Sequence, residues 1–136
     1  MKEWIMSANP DIYDHRAAFE KQGYIDWKQT RNFEIGDIVY IYCTRPVSSI
    51  RYKTVVEKIN QKPYIDAFWK KEISTNELGD KCMRLVLVAT SSRDELSLPN
   101  LRQHGLKYPP QSPGIIRPEL SDYIVPLFEK GDPEND

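Results

Sequence analysis

The stretch Ile25-Asp26-Trp27-Lys28-Gln29-Thr30-Arg31-Asn32-Phe33 runs into Gly36-Asp37-Ile38-Val39-Tyr40-Ile41-Tyr42. It sets an aromatic ring, two cations, two amides and a hydroxyl in near-consecutive positions before a strongly apolar strand. Read as a loop at a strand entrance, it offers a flat ring for stacking, donors and acceptors for a base edge, and charge for a phosphate. Those are the elements that nucleobase readers use.

Working outward, Asp37 to Cys43 reads as a strand whose two faces are both apolar, Val39 and Ile41 against Ile38, Tyr40 and Tyr42. That pattern belongs to a central or barrel strand. Arg45-Pro46 breaks it. Ile50 to Ile59 follows as a strand, with Ile50, Tyr52, Thr54 and Val56 expected on one face and Arg51, Lys53 and Glu57 on the other. Met83 to Ala89 reads as a third, and the polar stretch from Gln61 to Lys81 as a connection with limited regular structure.

Upstream, Trp4-Ile5-Met6 reads as a short strand. Asn9 is expected to cap a helix with Pro10 at its first position, an apolar stripe of Tyr13, Ala17 and either Phe19 or Ala18, and Gly23 as its stop. Downstream, Ser97 to Gly105 carries a cap, an early proline and a closing glycine. Pro118 opens a last helix that Pro126 should kink or end. Residues 131–136 read as a frayed tail after a single domain over 1–130. Strands and helices mix without strict alternation, which points to an α+β domain around a curled sheet.

Composition narrows the function. The 136 residues carry a net charge of −1, so a nucleic-acid site has to be local and not a whole basic surface. No 18-residue apolar run occurs, and the two cysteines, Cys43 and Cys82, form no CxxC pair. A soluble, cytoplasmic protein with reduced thiols and no membrane contact is expected. The two histidines, His15 and His104, lie in no ligand-spacing motif, and no Gly-rich phosphate loop, GxSxG elbow or HExxH is present. The expectation is therefore no catalytic residue, no metal and no cofactor. Pro10-Asp11 followed by Asp26-Trp27-Lys28 spells a PD…DxK pattern found in metal-dependent nucleases, but an aspartate in a first helical turn is already explained by the helix dipole.

Together, Trp4-Ile5-Met6-Ser7-Ala8-Asn9-Pro10, Trp27-Lys28-Gln29-Thr30-Arg31-Asn32-Phe33 and Gly36-Asp37 with Tyr42 resemble the ordered motifs of an EVE domain, a member of the PUA-like superfamily. Gln111-Ser112-Pro113-Gly114-Ile115-Ile116-Arg117 resembles that family's closing turn. The resemblance implies a PUA-like pseudobarrel of about five to six mixed strands with flanking helices. It also implies a pocket for one base, with DNA or RNA carrying a modified base as partner and an effector protein in trans. The chain departs from the family pattern in two ways. Ser7-Ala8-Asn9 stands where Lys-Ser-Glu is usual, and the loop between Phe33 and Gly36 is short.

The candidate base- or ligand-binding residues are Ser7, Asn9, Trp27, Lys28, Gln29, Thr30, Arg31, Asn32, Tyr42 and Trp69. The candidate phosphate stripe is Arg45, Arg51 and Lys53. Several also have a structural role open to them: Trp27, Tyr42 and Trp69 as core, Arg31 and Asn32 as loop braces, Asn9 as a cap, and the basic residues as a solvated strand face. Two other function classes stay open, a sensor of a nucleotide-like small molecule and a nuclease using Asp11, Asp26 and Lys28.

Overall fold

The computed structural model describes residues 1–130; the expected tail lies outside them. Six strands form one mixed sheet in the order β2-β5-β4-β3-β1-β6. The strands are β1 (Glu3–Ala8), β2 (Tyr24–Lys28), β3 (Ile38–Cys43), β4 (Ser49–Gln61), β5 (Cys82–Thr90) and β6 (Gly114–Ile115). Three α-helices accompany them: α1 (His15–Gln22), α2 (Leu98–Leu101) and α3 (Pro118–Glu129). The expected α+β fold is the observed one. β1 and β3 pair in parallel, and the other neighbours pair antiparallel.

The sheet separates two apolar layers, and alternation along the strands feeds both. Trp4, Met6, Ala8, Val39 and Ile41 enter one core with Ala18 and Phe19 of α1. Ile5, Tyr40 and Tyr42 enter the other, with Leu120, Ile124, Leu127 and Phe128 of α3. This is why β3 is apolar on both faces. Cys43 and Cys82 are buried free thiols.

Several expectations need correction. α1 starts later than expected, because Asp14, not Asn9, is the N-cap, its carboxylate accepting from the Ala17 N–H at 3.0 Å. Asn9 instead turns the chain locally, its side-chain oxygen accepting from the Asp11 N–H at 2.9 Å. Tyr13 precedes the helix and forms a bridge with Trp69. The apolar stripe of α1 is thus His15, Ala18 and Phe19. Gly23 does close it, with φ 81°.

The stretch from Tyr24 to Lys28 is not loop but strand, antiparallel to β5, with Trp27 opposite Met83. On β4, Ile50 and Tyr52 do not share a face. Ile41 pairs with Tyr52 while Tyr42 pairs with Ile50, so Arg51 is an extra residue in a bulge. Ile50 therefore packs with α3's layer and Tyr52 with α1's.

Pro126 does not end α3, which runs on to Glu129. The carbonyl its missing N–H leaves unmet is that of Asp122, an exposed residue, and the buried Ile124, Leu127 and Phe128 anchor the helix on both sides of the proline. The expected helix at 97–105 is α2 followed by a 3₁₀ turn at Arg102–His104 that Gly105 closes.

Candidate functional site

Residues from both ends of the sheet order meet at one cavity. Met6 and Ser7 of β1, Trp27 and Lys28 of β2, Thr30, and Gln111 to Pro113 line a space of about 160 Å³. β2 is one edge of the sheet and β1 lies next to the other, so a shared cavity means that the sheet curls round on itself. The segment Pro109–Pro113 straps the open side. The Ser7 hydroxyl donates to the Pro110 carbonyl at 2.5 Å. Arg31 donates from Nη2 to the Ser112 hydroxyl at 3.1 Å and, more weakly, from Nε to the Pro113 carbonyl at 3.4 Å.

Trp27 is half-buried at this cavity and belongs to an aromatic cluster. Its ring stacks on Trp69, 5.7 Å between centroids and 8° from parallel. Tyr13 and His15 approach it at 5.2 and 5.0 Å. Trp69 is thus backing for Trp27 and not an opposite wall, since the pair leaves no slot for a base between the rings. His15 is buried with no well-formed hydrogen bond at either ring nitrogen. Burial lowers its pKa to about 4, against smaller upward pulls from the Tyr13 backbone and Asp14.

The remaining candidates divide. Gln29 is buried as a brace: its amide donates to the Asn60 side chain at 3.1 Å, and its oxygen accepts from the Asn60 N–H at 2.8 Å. Asn32 is exposed and lies outside the cavity lining. Asn9, Tyr42 and Arg45 meet at a second, larger cleft of about 510 Å³, with Asp11, Thr44, Ser48, Leu98, Arg102 and Pro109. Pro109 stands on this cleft and Gln111 to Pro113 on the first, so the strap forms the wall between them.

The basic residues do not form one stripe. Arg51, displaced by the bulge, lines a third cavity of about 400 Å³ beside Phe19 and Tyr52 and donates to the Ser91 carbonyl at 3.3 Å. Lys53 sits with its Nζ 5.9 Å from the centre of the Tyr40 ring, in contact with the other layer. Asp11, Asp26 and Lys28 are also dispersed. Asp26 is held by Arg84 through two hydrogen bonds of 2.9 and 3.1 Å. Asp11 and Lys28 line different cavities.

The motifs that carry the family resemblance turn out to be largely structural. Trp4 packs on Phe33, 4.4 Å between ring centroids, and hydrogen-bonds Asp37. The family resemblance anticipated a closing turn at Gln111-Ser112-Pro113, but not its extension through Pro109-Pro110 or its hydrogen bonds to Ser7 and Arg31. Sequence reading missed Arg102, which nothing in the sequence marks.

No protein-family model and no curated protein matches the chain. Solved structures do. ASCH from Zymomonas mobilis matches with a TM-score of 0.61 at 20% identity, over 93% of this chain and 95% of that one. A protein from Pseudomonas putida gives 0.65 at 22%, over 92% and 98%. A hypothetical protein from Leishmania major gives 0.63 at 15%, over 96% of each. This chain shares the α+β fold of these structures. None of these neighbours is named as an EVE domain. Among the described residues no helix is long and apolar enough to cross a membrane.

Proposed function

We propose that this chain is a non-catalytic PUA-like binding domain, of the EVE type, that takes a single base, flipped from a DNA or RNA strand and carrying a modification, into the Trp27 cavity. The observation that carries the reading is the lining: a half-buried indole beside the hydrogen-bonding side chains of Ser7, Thr30, Gln111 and Ser112. At about 160 Å³ the space is well below the roughly 300–1,000 Å³ of drug-sized ligand pockets. It suits one planar heterocycle and excludes a whole nucleotide. Flipping costs a few kcal/mol, and stacking on one aromatic face returns about 1–3 kcal/mol. A methyl-sized modification adds roughly 1–3 kcal/mol in a close-fitting pocket, enough for up to two orders of magnitude in discrimination. The domain would mark a site for an effector protein in trans.

The test is tryptophan fluorescence during titration of the protein with nucleosides and with single-stranded oligonucleotides, plain and base-modified. Quenching by a modified strand that is weakened in Thr30→Val supports the reading. No response to any nucleoside or oligonucleotide at millimolar concentration sinks it.

One observation favours a second reading, a sensor of a free nucleotide. Arg51 and Lys53 project from different parts of the molecule, so no continuous cationic track lies along β4. A salt titration separates the two, because strand binding weakens steeply with salt through counterion release and binding of one nucleotide does not.

A further inference from the structure

We infer that the larger cleft beside the Trp27 cavity is a phosphate subsite, in which the guanidinium groups of Arg45 and Arg102 take the phosphate of the nucleotide whose base enters that cavity. The inference rests on the base-binding reading for the base, but not for the anion.

Three observations support it. The first is convergence of charge. Arg45 comes from the loop after β3 and Arg102 from the 3₁₀ turn after α2, yet both line one cleft, with the hydroxyls of Thr44 and Ser48 and the amide of Asn9. Arginine's planar fork suits phosphate, and hydroxyl and amide donors complete such a site. Nε of Arg102 donates to the Lys107 carbonyl at 3.1 Å, which fixes the side chain and leaves its terminal nitrogens for a ligand.

The second is the electrostatics at the cleft floor. Burial pushes the Tyr42 phenol above its ordinary pKa, while the Ser48 hydroxyl and the charges of Arg102 and Arg45 pull it back. Both guanidinium groups are therefore close enough to act on the same hydroxyl. Asp11 also lines the cleft and opposes them, so the local sum is two cations against one anion.

The third is spacing. Ser7 lines the small cavity and Asn9 the large cleft. Two extended residues span about 7 Å, comparable with the reach from a base across its sugar to its own phosphate. The strap is pinned to β1 between the cavities through the Ser7–Pro110 hydrogen bond, so the sugar would cross its outer side.

The probes are the common ribonucleosides, their 5′-monophosphates, a dinucleotide with an internal phosphodiester, and inorganic phosphate, titrated by calorimetry into the whole protein. The 5′-monophosphate should bind at least about tenfold tighter than the nucleoside. Arg102→Gln and Arg45→Gln should each bring that ratio close to one, and Asp11→Asn should increase it. If the dinucleotide shows the same gain as the monophosphate, the phosphate is one within a strand; if only the monophosphate gains, it is a free nucleotide's. Equal binding of nucleoside and monophosphate, or an advantage that survives both arginine substitutions, overturns the inference while leaving base binding intact.

Inorganic phosphate separates the two failures. Phosphate-induced shifts of the arginine Nε–H signals in NMR spectra, with one signal lost in Arg102→Gln, uphold the subsite even if no nucleoside binds. No phosphate-induced shift together with no monophosphate advantage rejects it.

Discussion

The indole N–H of Trp4 donates to a carboxylate oxygen of Asp37 at 3.0 Å, deep in the structure and across 33 positions of sequence. The same carboxylate accepts from the backbone N–H groups of Lys2 and Glu34, each at 3.0 Å. One buried side chain thus ties the start of β1, the loop before β3 and the largest ring of the barrel core.

Asp37→Ala should cost about 3 kcal/mol, because three donors lose their acceptor and one of them, the Trp4 indole N–H, is buried away from water. Urea unfolding of the variant measures this. A loss under about 1 kcal/mol would show that the network is replaced by water at little cost.

The same group sets part of the acid limit. Burial alone would raise the Asp37 pKa, but the Lys2, Trp4 and Glu34 donors outweigh it and hold the carboxyl below its ordinary value. A depressed carboxyl stabilises the fold fully above the unfolded pKa, near 4, and that stability drains away as pH falls toward the folded value. Stability curves below pH 4 should therefore be flatter in Asp37→Asn than in the native chain.

His15 acts over a different interval. Its folded pKa is about 4 against an ordinary 6.5, so between those values the unfolded chain binds a proton that the folded one refuses. Stability should fall as pH drops from about 6.5 to 4, by an amount on the order of 3 kcal/mol. His15→Phe keeps an aromatic ring in the cluster and removes the titration, so its stability should be nearly level over that range. A wild-type curve already level there would contradict a neutral buried imidazole.

Arg31 does not itself line the cavity but holds the strap through two lining residues, Ser112 and Pro113. Arg31→Ala should speed amide exchange over 109–113 and weaken modified and plain ligands alike, while global stability changes by less than about 1 kcal/mol, as for exposed polar contacts. Hydrogen exchange by mass spectrometry and paired isotherms check both. A selective loss of discrimination would instead put Arg31 on the base edge.

Lys53→Ala should leave ligand affinity and its salt slope nearly as they were, and cost up to about 1 kcal/mol of stability through the Tyr40 ring contact. A slope flattened by about one unit would restore Lys53 to a phosphate track.

Periodicity made much of the sheet readable, because Val39, Ile41, Tyr40 and Tyr42 had to be apolar to serve two layers. β2 was obscured for the opposite reason. It is an edge strand with mixed chemistry, and its partner β5 lies far along the chain. The capping error at Asn9 arose because asparagine serves a turn as readily as a helix start, and Asp14 had the better-placed carboxylate. Ser7, Trp27, Lys28 and Thr30 were legible as neighbours because a short stretch carries most of them. That Asn9, Tyr42 and Arg45 form a separate cleft depends on the strap, a contact over more than a hundred positions that no local pattern encodes.

The bulge at Arg51 gives β4 a parity. On one side of it the even-numbered Ile50 belongs to the helical layer, and on the other the even-numbered Tyr52 and Val56 belong to the barrel. The effect of removing one residue there depends on which one goes. Deleting Arg51 itself would leave both layers intact, because Tyr52, Ile50 and Ser49 would then follow one another opposite Ile41, Tyr42 and Cys43. Deleting Ile50 with the bulge kept would instead bring Ser49 into its place in the helical layer and draw in the loop that carries Arg45. The geometry of the larger cleft is therefore written in a count of residues as much as in their identities.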